Sequence, residues 1–211
     1  MKPSAGASRA ATRLPRARMI SHNIHSLSAN AVSTEGCQRH TRVIRHIAKL
    51  MQGREVVLLQ ETWLGKYDTQ ALRTSFPQWD IRYNNDYIGH GGLITMVRRS
   101  YGKNYIITRV QMAPAAEGRV LALNFKPRAA INDTRTHFNI VNVYFSSGQA
   151  DMASKGEQIC SLSNIDNNIH TYMGGDFNFV ESDTDCSGPL SGCCLSGPAL
   201  EAWGSKRKGF A

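Results

Sequence analysis

The chain has 211 residues, of which 41% are hydrophobic and 19% are charged, and its formal net charge is +9. This length predicts one domain with a buried core, and no apolar run approaches the ~18 residues that a membrane-spanning helix needs. The composition therefore argues against an integral membrane protein. The basic balance favours a polyanionic partner, with nucleic acid ahead of an anionic membrane surface.

The first 18 residues carry five basic side chains and no acidic one. Such a segment is typical of an organelle transit peptide and equally of a basic arm that contacts phosphates. Because its apolar residues are small and scattered, we interpret residues 1–18 as a disordered extension. The five cysteines include an adjacent pair, and no secretory signal precedes them. This pattern predicts reduced thiols in an intracellular compartment, and the absence of a Cys-x-x-Cys pair argues against zinc.

The central part of the chain alternates strand-like and helix-like segments. Residues 19–24 and 56–60 predict strands, and residues 38–51 between them predict a helix with apolar side chains at helical spacing. The opening is therefore a β-α-β unit. A second helix is predicted over 151–170, where Ile159, Leu162, Ile165 and Ile169 form one apolar stripe that faces the core. Further strands are predicted near residues 79–83, 92–97, 105–110, 120–125 and 137–145.

Polar residues stand where several of these apolar strands end. Asn23, Glu61 and Tyr144 each close one strand, and Asp176 and Asn178 follow the glycines at 174 and 175. Residues i and i+2 of a strand point to the same side, so Asp176 and Asn178 are expected to project into one pocket. The glycines would let backbone or ligand approach closely. A carboxylate beside a neutral amide suits a phosphate ester, since the acid can handle a proton or a metal and the amide can donate hydrogen bonds.

The last segment, residues 181–211, has a different composition. Short Ser-Gly repeats lead into a basic tripeptide at residues 206–208. Such a sequence does not favour regular structure. We interpret it as a disordered tail.

Taken together, several short motifs resemble a known superfamily. They comprise Asn23, the Gln-Glu-Thr at 60–62, the Gly-Gly-Leu-Ile at 91–94, the Asn-Val-Tyr at 142–144 and the Gly-Asp-Phe-Asn at 175–178. In order and spacing, this set resembles the endonuclease/exonuclease/phosphatase superfamily of DNase I-like enzymes. Within it, Leu-Leu-Gln-Glu-Thr-Trp-Leu and Gly-Asp-Phe-Asn are most similar to the apurinic-type endonuclease domain of non-LTR (LINE-type) retrotransposons. The resemblance covers roughly residues 19–180.

The resemblance implies a fold and a set of roles. The fold would be a four-layered α/β sandwich with its active site at one end of the sheets. Glu61 would bind a catalytic Mg²⁺ or Mn²⁺, and Asn23 would support that metal site. Tyr144 would contact the phosphate, Asp176 would handle a proton, and Asn178 would hydrogen-bond the transition-state oxygens. The expected partner is DNA, and the expected protein is a monomer with an intracellular, nuclear location.

One part of the family pattern is missing. The superfamily site includes an aspartate–histidine pair near the C-terminus, whereas no histidine follows Asn178 in this sequence. The resemblance therefore implies a truncated domain that lacks its last strands and has low activity. Two alternatives remain open: a non-catalytic nucleic-acid-binding remnant, and a phosphoinositide phosphatase or sphingomyelinase-like phosphodiesterase of the same superfamily. We assign none of the other histidines, including His22 and His25, a catalytic role.

Overall fold

The structure is a computed structural model that describes residues 17–25, 34–63, 66–85, 91–146, 152–178 and 203–204. Its core is two four-stranded sheets packed face to face. The first sheet has the order β1-β2-β4-β3 and the second has the order β5-β6-β7-β8. The strands are β1 (Met19–Asn23), β2 (Val56–Gln60), β3 (Trp79–Asn84), β4 (Leu93–Arg98), β5 (Tyr105–Arg109), β6 (Val120–Pro127), β7 (Phe138–Tyr144) and β8 (His170–Asp176).

Strand direction decides which residues meet at each end of the sandwich. β1 and β2 run parallel, as do β7 and β8, whereas the other neighbours are antiparallel. The last residues of β1, β2, β7 and β8 therefore lie at one end, which we call the site end. The opposite end carries the last residues of β4 and β6 and the first residues of β3 and β5.

Besides four short 3-10 helices, the described residues form four α-helices: α1 (Thr34–Leu50), α2 (Lys66–Ser75), α3 (Arg99–Gly102) and α4 (Met152–Ser161). One apolar cluster joins α1 and α2 to the outer face of the first sheet through Ile47, Leu72 and Leu59. A second cluster lies between the sheets, and a third packs Ile159 of α4 on Val141 of β7. The order helix, sheet, sheet, helix confirms the predicted four-layered α/β sandwich, including its β-α-β opening.

Apolar side chains point to both faces of the sheet along β2 and β7, so each sheet packs against a helix layer on one face and the other sheet on its second face. Odd-numbered β2 residues face the helices and even-numbered ones face the second sheet, because successive strand residues point to opposite sides. In β7, Phe138 and Ile140 face the inter-sheet layer, whereas Val141 and Val143 face α4. A strand with apolar residues on both sides reads as a continuous hydrophobic run, which is how β2 appears in the sequence.

The buried amide of Asn142 joins the two sheets. Its Nδ2 donates to the backbone oxygens of Leu59 (3.1 Å) and Ile94 (2.9 Å), and its Oδ1 accepts from Gln60 Nε2 (2.7 Å). Gln60 also bonds to Ser21 on β1. These bonds fix the register of β7 against β1, β2 and β4 directly beneath the site end.

One predicted helix differs from the structure, and one observed helix was not predicted. The helix predicted over 151–170 ends at Ser161, followed by a 3-10 turn over Leu162–Asn164 and then by β8. Asp166 and Asn168 form a turn between the helix and β8, in which the Asp166 carboxylate accepts from the backbone and side chain of Asn168. Helix α2 was not predicted from the sequence.

The two ends of the chain are described only in part. Residues 1–16 lie outside the described residues, as does most of the predicted tail. Trp203, within that tail, packs its ring against Phe177 with 5.5 Å between centroids. Among the described residues, no helix has the length and apolar character needed to cross a membrane.

Candidate active site

Asn23 connects two carboxylates that come from different sheets. It is the last residue of β1, and its Nδ2 donates to Glu61 Oε1 (2.7 Å) and to Asp176 Oδ2 (3.0 Å). Glu61 directly follows β2, the parallel neighbour of β1, and Asp176 ends β8 on the second sheet. One amide therefore fixes the position of both carboxylates at the site end.

Glu61 is held in a defined orientation. Its backbone has a φ of +53°, a left-handed conformation that turns the chain away from the strand. Its second carboxylate oxygen, Oε2, lies 3.0 Å from Nδ1 of His25. Burial raises the pKa of Glu61, but hydrogen bonds from Asn23, His25 and Tyr144 outweigh burial and leave this pKa below its ordinary value. The carboxylate is consequently ionised at neutral pH.

Tyr144 lies beside both carboxylates. It is the last residue of β7 and pairs in register with Asp176 of β8. Burial, the negative charge of Glu61 and the hydrogen bond to Glu61 together raise the pKa of Tyr144, so its hydroxyl stays protonated and donates. The guanidinium carbon of Arg119 lies 4.9 Å from the centre of the Tyr144 ring, which adds a cation to this side of the site.

Asn178 lies close to Asp176 because the chain turns after β8, and not because the two residues share one face of a strand. β8 ends at Asp176, and Asn178 adopts a φ of +50° beyond the strand. Its backbone N–H donates to Asp176 Oδ1 (3.1 Å), while its side-chain nitrogen donates to the carbonyl oxygen of Phe145 (2.8 Å). The prediction that the two side chains project side by side from one strand face is therefore wrong. Asn178 instead steadies the Asp176 carboxylate and ties the end of β8 to β7.

Gly175 allows β8 to approach β7 at this point. Its φ is +152°, and a Cβ on this residue would overlap the carbonyl oxygen of Val143 and lie 2.7 Å from the Val143 nitrogen. Only glycine fits this position without moving the strand that carries Asp176. The prediction that a glycine permits close backbone approach is confirmed at Gly175.

Three further polar residues at the site end were not predicted from the sequence as site residues. His25 contacts Glu61, Arg119 lies over Tyr144, and the fully buried Lys155 donates from Nζ to the backbone oxygen of Asn178 (2.8 Å). Lys155 could have been recognised in the sequence, because it shares the helical stripe of Ile159 and Leu162. A lysine on a core-facing stripe requires a buried acceptor. For Arg119 and His25, the sequence contains no comparable signal.

The donor atoms at this site are suitable for a hard cation. Mg²⁺ prefers oxygen ligands and keeps several waters, so that one or two protein carboxylates are enough to hold it. Glu61 and Asp176 supply carboxylates, whereas the side-chain oxygen of Asn23 accepts from the backbone N–H of His25 (3.1 Å). Within the described residues, no group of three or more His, Cys, Asp or Glu side chains could hold a metal ion. The site therefore fits Mg²⁺ and offers little to a metal that needs a full cage of protein ligands.

Comparison with solved structures finds several proteins that share this fold. An AP endonuclease from Leishmania major is 20% identical with a TM-score of 0.57, and covers 90% of this chain and 65% of its own length. An AP endonuclease from Archaeoglobus fulgidus is 13% identical with a TM-score of 0.56, covering 92% of this chain and 70% of its own. A 3′ phosphatase from Neisseria bound to a product DNA hairpin is 16% identical with a TM-score of 0.56, and it covers 90% of this chain and 71% of its own length.

These likenesses show that the chain has the DNase I-like α/β sandwich fold. The chain spans just under two thirds of the Leishmania enzyme. No protein-family model matches the sequence. No curated protein matches it either.

Proposed function

We propose that this chain is a metal-dependent phosphodiesterase of the endonuclease/exonuclease/phosphatase superfamily that nicks DNA. The observation that carries the proposal is the pair of hydrogen bonds from Asn23 to Glu61 and Asp176, which joins two carboxylates from different sheets beside Tyr144. The fold shared with two AP endonucleases and with a DNA-bound 3′ phosphatase supports the same class of reaction.

Each side chain has a role that follows from its contacts. Glu61, ionised and oriented by Asn23, would hold Mg²⁺ together with solvent. The ion, when bound, neutralises phosphate charge and lowers the pKa of a bound water. The protonated Tyr144 hydroxyl is a donor for a phosphate oxygen, and Arg119 adds positive charge nearby. Asp176, fixed by the Asn178 backbone, would accept the proton of the attacking water.

Two properties of the sequence favour DNA over other phosphate esters. The net charge of +9 favours a polyanion, and Gln60-Glu61-Thr62-Trp63 resembles the corresponding motif of retrotransposon endonucleases. We therefore propose the LINE-type apurinic endonuclease domain as the nearest class, with an intracellular, nuclear location that gives access to DNA.

A supercoiled-plasmid nicking assay tests this function. We expect nicking by the wild-type chain with Mg²⁺ or Mn²⁺, none with EDTA, and a loss of about 10²–10³-fold or more in Glu61→Ala and Asp176→Ala. Calorimetric titration with Mg²⁺ should show that Glu61→Ala loses metal binding. Glu157→Ala, which removes an exposed carboxylate on the outer helix α4, is the matched control. Equal nicking and equal Mg²⁺ affinity in Glu61→Ala and wild type would contradict the proposal.

A second candidate function is nucleic-acid binding without turnover. It is favoured by the small donor set, since the described residues place only the two carboxylates and an amide at the site and no larger metal-holding group. This function predicts salt-dependent DNA binding in the same preparations that show no Mg²⁺-dependent nicking. Nicking by the wild type that is abolished in Glu61→Ala would exclude it.

A further inference from the structure

A basic cavity lies towards the opposite end of the sandwich from the candidate active site. Its volume is about 490 Å³, and it lies between the edge strands β3 and β5, with α3 closing one side. Its lining includes four basic side chains and one acidic one: Arg82, Arg99, Lys103, Arg128 and Asp80. The β4–β5 connection and the end of β6 bring these residues together from separate parts of the chain.

Most of the positive charge in this cavity is not neutralised by neighbouring carboxylates. Asp80 forms an ion pair with Arg82, with 2.9 Å between Oδ2 and the terminal nitrogen. For Arg99, Lys103 and Arg128, the described part of the chain contains no carboxylate within ion-pair distance. Three cations therefore face one cavity, and none of them has a carboxylate partner among the described residues.

Two of the guanidinium groups are anchored in a way that leaves their outer donors available. Nε of Arg128 donates to the Lys103 backbone oxygen (3.2 Å), and Nε of Arg99 donates to the Trp79 backbone oxygen (3.4 Å). Each bond engages only Nε and leaves the two terminal nitrogens unused among the described contacts. A planar group with paired N–H donors matches the oxygens of a phosphate, and it loses less entropy on binding when it is already oriented.

We propose that this cavity binds phosphate groups of a nucleic-acid strand at a site separate from the candidate active site. A phosphodiester backbone fits three unneutralised cations better than a single carboxylate does, because it presents several negative charges in succession. The cavity and the candidate active site lie towards opposite ends of strands of five to eight residues, which puts roughly 20 Å between them at ~3.3 Å per residue. A nucleic-acid strand held in the cavity would thus remain bound to the protein after a phosphodiester bond is cut at the candidate active site.

Charge-matched variants test this proposal. Arg99→Gln/Lys103→Gln/Arg128→Gln removes the cavity cations, and Arg42→Gln/Arg45→Gln/Lys49→Gln removes three exposed cations of α1 outside the cavity. Binding of a fluorescein-labelled 20-mer DNA is measured by anisotropy in EDTA over a series of KCl concentrations. We expect the cavity variant to bind at least about tenfold more weakly at low salt, and its slope of log K against log[salt] to fall by about 2 more than that of the control. Equal loss in both variants, or no loss in the cavity variant, would overturn the proposal.

The location of binding needs a separate readout. We expect the dinucleotide pTpT to shift the NMR signals of the Arg99 and Arg128 side-chain Nε–H groups and of the Ile106 and Ile107 amides, and inorganic phosphate to shift them at higher concentration. Shifts with inorganic phosphate alone would mean a free-anion site and would overturn the nucleic-acid assignment. If the triple variant does not fold, the single exposed variant Lys103→Gln serves in both measurements, with Lys49→Gln as its control.

The test is independent of hydrolysis at Glu61. Glu61→Ala is expected to keep the cavity-dependent DNA binding and its NMR shifts. The cavity variant is expected to keep Mg²⁺-dependent hydrolysis of bis(p-nitrophenyl) phosphate, which is too small to span both sites. Absence of hydrolysis in every protein, with DNA binding still dependent on Arg99, Lys103 and Arg128, would support the cavity while contradicting the proposed enzymatic function.

Discussion

At the scale of single residues, the site end depends on groups that hold other groups in place. Asn23 orients two carboxylates, the Asn178 backbone holds Asp176, and the buried Lys155 holds the Asn178 carbonyl. These bonds start from the polar ends of buried strands, so small backbone shifts in those strands move the carboxylates directly. Gly175, one residue before Asp176, is the position where such a shift is easiest to cause.

We expect Gly175→Ala to destabilise the protein by about 2 kcal/mol or more, because a Cβ there overlaps the Val143 backbone and the φ of +152° does not suit alanine. Urea denaturation measures the free energy of unfolding. Gly102→Ala is the control, since a Cβ at Gly102 makes only ordinary contacts at 3.4 and 3.5 Å. Similar stabilities for the two variants would show that β8 can separate from β7 at no cost.

At the scale of secondary-structure elements, the contact between the sheets includes a polar bridge within an apolar layer. Asn142 of β7 accepts from Gln60 and donates to the carbonyls of Leu59 and Ile94. Unpaired buried polar groups each cost about 1–3 kcal/mol. This bridge therefore ties the position of β7 to that of β2 and β4.

We expect Asn142→Ala to lower the free energy of unfolding by about 2–4 kcal/mol, because it removes three buried hydrogen bonds that are each worth about 0.5–1.5 kcal/mol. The control is Asn164→Ala, which removes one exposed side-chain bond to the Gln111 carbonyl and is expected to cost under about 1 kcal/mol. Denaturant titrations of both variants give the comparison. A loss in Asn142→Ala no greater than in the control would mean that water replaces the missing amide.

The elements also show what the sequence can predict and where prediction fails. β2 was predictable because five consecutive buried residues form a short apolar run, and the polar residues that follow such strands marked the site end. Helix α2 was missed because Leu72, together with Phe76 directly after the helix, is its main apolar signal. The helix after residue 151 was extended too far because Ile165 keeps helical spacing, although Asp166 and Asn168 form a turn. Arg119 and His25 lie at the site through contacts distant in sequence, which periodicity does not reveal.

At the scale of the whole molecule, the two sheets share the apolar layer between them. Each sheet is also covered on its outer face, so neither can separate without exposing Leu58, Phe125 and their neighbours to water. The described part of the chain is thus expected to behave as one cooperative unit.

We expect thermal or urea unfolding to give a single transition, with the same midpoint by tryptophan fluorescence and by far-UV circular dichroism. Trp79 reports on the first sheet from its buried position, and the circular dichroism reports on both sheets. A repeat in 1 M KCl controls for repulsion between like charges in this basic chain. Two separate transitions at both salt concentrations would show that the sheets fold independently.

Four non-glycine residues in the described part of the chain have a positive φ, and all four follow strands at the site end: His25, Glu61, Trp63 and Asn178. Such conformations each cost on the order of 1–3 kcal/mol in bulky residues. Backbone strain in the described part of the chain is accordingly concentrated at the site end. An engineer seeking a more heat-resistant protein would look there first, for example by placing glycine at position 63, where a bulky tryptophan adopts a φ of +47°.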